Sequence, residues 1–401
     1  MNAISTPQPL SVVTNAGLHG AVVLGALFIV VAAAGIVYWR LLAVAESFTL
    51  AGLIAMAVVA LAAAWLAPML FSSDVYAYAA YGELARLGID PYARPAIAGN
   101  DALLRNAAWQ WNGAFPICVY GPAFVYLAKI IVGALAPAGT LAQLQGMRAI
   151  ATAALVACVP LAFAAFPNGN SQRLRAAATI GLNPVAIWCA AEGHNDALAL
   201  AVTLAGFALV QRGSIGIGAA TAALSALVKP PGAFAAVALA VVDRRARLGA
   251  AIGFAIAIAL SMPLFGGLAT QLAPHGRYLP QASLQAVFAP LGAMPAAALA
   301  AGVAALLVTR GARLIGQQHS EGWIWLGLAA WVLIPNPYPW YGVWLVALAA
   351  LAPRSRASAV AIGLSFAAML RYVPDAVATP NAPLAVALGV LATFPLLGLL
   401  I

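Results

Sequence analysis

Residues 48–76 read FTLAGLIAMAVVALAAAWLAPMLFSSDVY. No charge falls between Phe48 and Leu70, and a helical bilayer crossing needs about 20 predominantly apolar residues. The stretch therefore predicts a transmembrane helix. Asp74 follows almost at once, where a membrane helix meets water, at the head of the longest polar interval in the chain. A carboxylate is cheap to keep ionised at that boundary but costs roughly 2.5–3.5 kcal/mol at the membrane centre. It is placed to act on a molecule whose tail lies in lipid and whose head lies in water.

The rest of the chain repeats the apolar theme. Of 401 residues, 64% are hydrophobic and 7% charged, against about 25% charged in a globular protein. A soluble fold has no way to hide so much apolar surface. Continuous runs rather than period-2 alternation exclude a barrel, and the alanines within them suit close helix packing in lipid. The fold class is all-α: a polytopic transmembrane helical bundle. Met1 to Gly17 hold no Lys or Arg, so a signal-peptide n-region is absent and the first run reads as a retained span. The net charge of +9 comes from scattered basic residues, which read as membrane anchors rather than a nucleic-acid surface. Cys118, Cys158 and Cys189 have no paired spacing; Cys158 and Cys189 lie in apolar runs and read as packing residues. No N-x-Ser/Thr sequon occurs, which favours a bacterial protein.

Apolar runs fall at about 19–39, 48–70, 148–167, 174–191, 195–211, 214–228, 231–242, 248–265, 285–308, 322–335, 338–352, 357–370 and 382–401. That is about 13 spans. Arg40, Arg173, Arg175, Arg212, Arg244, Arg245, Arg247, Arg310, Arg313, Arg354 and Arg356 occupy alternate breaks, which the positive-inside rule puts in the cytoplasm. The other breaks hold Asp74, Glu83, Asp90, Asp101, Glu192, Asp196 and Asp375. Tyr120 to Ala136 is apolar, yet a full crossing there would put Arg173 and Arg175 outside; it is read as lying along the interface, dipping in, or sharing a crossing. No pattern repeats between the halves, which argues against an inverted-repeat transporter. Residues 1–401 read as one membrane domain without a separate soluble part, with a large first outer loop at 71–118 and a second at 266–283.

The unusual residues converge on the outer side. Ser73 to Leu87 reads as a short surface helix capped by Ser72 or Ser73, with Asp74, Tyr78 and Tyr81 on one face. Asp90-Pro91-Tyr92 reads as a turn. Asp74 serves either as a functional acid or as a carboxylate stabilising the helix N-terminus. Glu192-Gly193-His194-Asn195-Asp196 forms a second polar cluster, in which Asn195 or Asp196 caps a helix or, with His194, contacts a substrate. A metal held by Asp74, His194 and Asp196 is a less favoured alternative, and no metal or cofactor is expected. Lys229-Pro230-Pro231-Gly232 breaks an apolar stretch and brings an ammonium to the outer face. Such a lysine either snorkels or meets a phosphate. His275, Arg277 and Tyr278 add a basic site, and Pro335-Asn336-Pro337-Tyr338-Pro339-Trp340-Tyr341 a rigid aromatic turn of the kind that lines a sugar or lipid groove.

One carboxylate, several cations and many aromatics match sugar transfer from a lipid-linked phosphate. The phosphate is already a good leaving group. The protein must add a base for the acceptor hydroxyl and positive groups for the departing phosphate. An Asp of ordinary low pKa suffices where the transition state resembles an oxocarbenium ion.

Ser73-Asp74-Val75-Tyr76 followed by Gly88-Ile89-Asp90-Pro91-Tyr92 resembles the first outer loop of GT-C glycosyltransferases that use polyprenyl-phosphate sugars. Tyr120-Gly121-Pro122, Gly193-His194-Asn195-Asp196, Lys229-Pro230-Pro231 and Pro339-Trp340-Tyr341 are similar to further motifs of that group, in order from about residue 70 to 345. The likeness is closest to polyprenol-phosphomannose-dependent mannosyltransferases of lipomannan assembly and their bacterial relatives. It implies a GT-C bundle, Asp74 as catalytic base, inverting transfer, and a polyprenyl-phosphate hexose or pentose donor. The expected donor-phosphate contacts are Lys229, Arg277 and His275. The expected substrate contacts are His194, Asn195, Asp196, Tyr78, Tyr81, Tyr92, Tyr120, Trp340 and Tyr341. Partners are then the donor, a lipid or glycan acceptor and membrane lipids, at the outer side of a bacterial inner membrane. A transporter or flippase of lipid-linked glycans, and an O-antigen ligase or polymerase relying on His275 and Arg277, are the competing readings.

Overall fold

The structure is a computed structural model that describes residues 18–66, 72–93, 95–97, 101, 104, 114–166, 169–262, 280–373 and 382–400. Among them the chain forms seventeen α-helices. The first five are α1 (Leu18–Ala43), α2 (Leu50–Trp65), α3 (Asp74–Arg86), α4 (Pro122–Leu135) and α5 (Thr140–Ala165). Then come α6 (Asn170–Gly181), α7 (Pro184–Ala191), α8 (Asp196–Gln211), α9 (Ile215–Leu224), α10 (Phe234–Val242) and α11 (Ala246–Leu260). The last six are α12 (Leu284–Phe288), α13 (Ala293–Gly316), α14 (Glu321–Val332), α15 (Pro339–Ala349), α16 (Arg356–Ala367) and α17 (Ala382–Thr393). Alanine and leucine, the strongest helix formers, fill these segments, and Pro122 and Pro339 open α4 and α15 where a missing N–H costs nothing. Between α3 and α4 two short strands, β1 (Ala96–Ile97) and β2 (Ala114–Phe115), pair antiparallel.

Among the described residues three helices are long and apolar enough to cross a membrane by themselves: α5, α13 and the segment Ala382–Leu399 that begins with α17. The α6–α7 pair adds a fourth if it is one broken span. Besides α1, most other apolar runs appear as helices of 10–17 residues, several of them divided by prolines, glycines and 3-10 turns. Ser225–Leu227 and Pro230–Ala233, for instance, are 3-10 turns on either side of Lys229.

The chain packs as two compact units. The first holds Leu50–Gly169 and Ile187–Gly276. In it α8, α9 and α11 pack through glycines: a Cβ on Gly206 would stand 2.6 Å from Gly218 O, and one on Gly249 1.9 Å from Gly216 O. Helices in lipid associate by such close approach of small residues. Asp196 opens α8 and Arg212 follows its end, so at 1.5 Å per residue the helix holds the two charges about 24 Å apart along its axis. The chain then turns at 212–214 and at 243–245, which keeps Arg244 and Arg245 away from Lys229. Cys118, Cys158 and Cys189 are all buried, reduced and apart.

The second unit holds Leu10–Thr49, Asn170–Ala186 and Arg277–Ile401. Three of the arginine-bearing breaks converge there. Glu46 in the turn after α1 pairs with Arg175 of α6 at 3.9 Å and with Arg354 just before α16. Tyr38 of α1 donates its hydroxyl to Thr179 O at 2.8 Å.

One expectation changes and one segment takes shape. The helix starting at Asp74 is no surface helix: Val75 to Gly82 are all buried, and Gly82 lets α3 approach the Ala128 backbone of α4 so closely that a Cβ would lie 2.7 Å from it. Its tyrosines and alanines bury well, and that outweighs the polar look of the loop around them. Tyr120 to Ala136 resolves into α4, a helix of 14 residues, short of a full crossing.

Candidate active site

Asp74 is the first residue of α3, so the positive end of the helix dipole faces its carboxylate. Its backbone N–H donates to Ser72 Oγ at 3.2 Å, while Ser73 holds the N-cap position without a side-chain cap bond. The carboxylate keeps 18% of its surface exposed, which leaves a path for a hydroxyl. Burial pushes its pKa up to about 6; Lys229 pulls against that rise and Asp196 adds to it. An acid of low pKa was expected. The site holds a stronger base.

Tyr120 donates its hydroxyl to Asp74 Oδ2 at 3.4 Å and accepts one from Tyr78 at 3.4 Å. Their rings meet edge-on at 4.9 Å, and Phe124 packs on both. Tyr81 and Tyr92 hold the backbone that carries Tyr120: Tyr81 donates to Pro116 O at 2.8 Å and Tyr92 to Tyr120 O at 3.0 Å. The turn at Asp90-Pro91-Tyr92 forms as expected, with the Tyr92 N–H on Asp90 Oδ1. Gly121 N–H then donates to Val228 O at 3.1 Å, and a Cβ on Gly121 would stand 2.3 Å from Leu227 O. Only glycine fits there, so the segment of Tyr120 lies directly against that of Lys229.

At the C-terminus of α7, Gly193 takes φ +94°, with His194 N–H on Cys189 O and Gly193 N–H on Ala190 O. This is a Schellman ending. A Cβ on Gly193 would also meet Val75 at 2.8 Å, so the glycine lets the turn sit against the start of α3. His194 Nδ1 consequently lies 3.6 Å from Asp74 Oδ2. Burial, helped by Lys229, holds the imidazole pKa well below its usual value, so the ring is neutral. Asn195 occupies the N-cap of α8 but makes no side-chain cap bond; its amide is buried and neither polar atom has a hydrogen-bond partner. Capping is thus not what this asparagine does.

Asp196 and Lys229 form a buried ion pair, Oδ2 to Nζ at 2.7 Å. The ammonium also lies 5.8 Å from the centre of the Tyr120 ring. The sequence leaves Lys229 either snorkelling or meeting a phosphate. It is held by Asp196, and an ammonium has three N–H donors.

Asp74, Tyr78, Tyr120, His194, Asp196 and Lys229 therefore stand together in the first unit. Trp340 and Tyr341 belong to the second. There Tyr338 stacks on Trp340 at 4.4 Å, Tyr341 meets Trp340 edge-on at 5.9 Å, and Arg371 donates to the Tyr338 hydroxyl at 2.7 Å. His275 and Arg277 lie outside the described residues. Two residues escaped the sequence reading of the site. Glu192 Oε2 lies 3.9 Å from His194 Nε2. Arg148 of α5 is buried, stacks on Trp65 at 4.5 Å and donates to Ala191 O at 2.5 Å and Trp65 O at 3.2 Å. A single arginine on a long apolar helix was the available signal.

An accessible carboxylate of raised basicity, a neutral imidazole behind it and a fixed cation beside it can take a proton from a hydroxyl and stabilise a nearby phosphate. Comparison with known proteins gives the family. A family profile described as alpha-(1->6)-mannopyranosyltransferase, N-terminal domain, matches residues 2–245, which include all six clustered side chains. Alpha-(1->6)-mannopyranosyltransferase A of Mycobacterium tuberculosis is 29% identical over 367 residues, covering 78% of this chain and 68% of the relative. No solved structure matches the chain. The apolar helices, the clustered motifs and the matched profile lead to one assignment: the chain belongs to the alpha-(1->6)-mannopyranosyltransferase family and is a membrane-embedded GT-C mannosyltransferase.

Proposed function

We propose that the chain moves a mannosyl group from a polyprenyl-phosphate donor to a hydroxyl of a lipid or glycan acceptor, with inversion and with Asp74 as general base. The name of the Mycobacterium tuberculosis relative supports an α-(1->6) product; an inverting step that gives an α linkage needs a β-linked donor phosphate. The acceptor oxygen attacks C1 opposite the phosphate, the C1–O(phosphate) bond breaks, and the phosphate leaves with the electron pair. Asp74 takes the hydroxyl proton. Lys229, its ammonium fixed by Asp196, faces the departing phosphate, and Arg277 and His275 assist it. Tyr78, Tyr120, His194, Asn195 and Asp196 line the sugar site, Tyr81 and Tyr92 fix its wall, and Trp340 and Tyr341 contact the acceptor or lipid.

No metal or other cofactor takes part in this reading. The site faces the outer side of a bacterial inner membrane, and the shorter apolar helices join the long ones to give about 13 crossings. The observation that carries the proposal is the Asp74 carboxylate, accessible and yet within 3.6 Å of His194, in one cluster with the Asp196–Lys229 pair. The test is mass analysis of lipids after incubating purified protein with polyprenyl-phosphate mannose and membrane acceptors. A mannosylated lipid together with free polyprenyl phosphate is the expected product pair. Lipid that moves between leaflets without a new bond would instead favour a flippase.

A further inference from the structure

Two buried ionisable groups stand behind Asp74, His194 and Glu192. One imidazole spans two carboxylates: Nδ1 is 3.6 Å from Asp74 Oδ2 and Nε2 is 3.9 Å from Glu192 Oε2. Both gaps slightly exceed a hydrogen bond, and unliganded sites commonly tighten when substrate binds. A neutral imidazole has one N–H and one lone pair, so the two carboxylates cannot both be served by donation. The surroundings decide between them. Asp74 already has the Tyr120 hydroxyl, the α3 N-terminus and the charge of Lys229. Glu192 is electrostatically coupled to the buried Arg148 guanidinium, which favours Glu192 as the acceptor of the Nε2–H.

We propose that His194 is a positioning residue for Asp74, with Glu192 holding its Nε2–H so that the Nδ1 lone pair meets the proton Asp74 takes from the acceptor. This rests on the reading of Asp74 as base. The proton balance is simple: the acceptor O–H bond breaks, its electron pair enters the new C1–O bond, and the proton binds Asp74. The protonated carboxyl then donates to Nδ1. A lone pair at that place favours the protonated carboxyl over the carboxylate, and so makes Asp74 the stronger base.

The test is the pH profile of kcat/KM from about pH 5 to 9 for the purified full chain with polyprenyl-phosphate mannose, since its acid limb reports the base of the free enzyme. In His194→Asn the amide can turn an N–H toward Asp74. In Glu192→Gln the amide can donate to Nε2 and drive the ring proton to Nδ1. Both variants should lose up to about 10²-fold in kcat, as misplaced catalytic groups do, with the acid limb moved to lower pH; Glu192→Gln, which does not line the sugar site, should also hold donor KM. An acid limb that stays fixed in both, or wild-type rates in both, overturns the proposal. Should His194→Asn not fold, the near-isosteric Glu192→Gln carries the decision. Asp74→Asn is the control: wild-type transfer by that variant would sink the base itself, whereas an inactive Asp74→Asn beside unshifted His194 and Glu192 variants would sink only the role of the imidazole.

Discussion

Asp74 is held where its charge is costly, and that cost separates a catalytic acid from a structural one. Its pKa rises from 3.8 to about 6 chiefly through burial, so the ionised form costs about 3 kcal/mol. The folded state binds more protons than the unfolded state between these values, so this group makes stability fall as pH rises through that window. Asp74→Asn should remove the fall, raise the Tm near neutral pH and still reduce transfer by about 10²–10⁴-fold. A cap would behave otherwise, since Asn caps about as well as Asp, and full transfer by the variant would return Asp74 to that role. The Asp196–Lys229 pair calls for a different design. Lys229→Ala should destabilise by about 3–5 kcal/mol, because it strands a buried carboxylate. The double change Lys229→Met with Asp196→Leu should recover much of the Tm without recovering transfer; recovered transfer would show that the pair is only structural. In the sequence Asp74, His194, Asp196 and Lys229 were visible as polar groups at the ends of apolar runs. The Glu192 contact was not, since two residues so near in sequence meet here through the left-handed turn at Gly193.

At the level of elements, the site depends on two glycines that bring helix ends together. Gly121→Ala would drive a methyl into the Leu227 carbonyl, and Gly193→Ala combines a clash with Val75 and an unfavourable φ. Each should cost about 1–3 kcal/mol and more activity than that loss of stability explains, because each separates motif segments. Thermal unfolding beside a transfer assay checks this, and parallel losses would reduce both glycines to packing. The i, i+4, i+7 spacing of Asp74, Tyr78 and Tyr81 was legible as one helical face. Its burial was not. Pattern alone does not tell an interfacial tyrosine from one walled in by a second helix, and α4 supplies that wall.

Across the whole molecule, arginines and acids alternate between the breaks of the chain. Asp196 and Arg212 stand at opposite ends of α8 in the first unit, and Arg175 and Arg354 gather at Glu46 in the second. The division into two units was invisible, because segments distant in sequence build each of them. A cysteine placed at Asp101 should react with an impermeant maleimide in spheroplasts, while one at Arg245 should not; equal or reversed labelling would overturn the outward placement of the site. That experiment usually requires stripping a protein of its own thiols first. Here Cys118, Cys158 and Cys189 are buried, and burial pushes the Cys118 thiol up to about 12, far from the thiolate that a maleimide attacks. The natural chain is therefore its own silent background, and any label it takes up without an added cysteine reports unfolding.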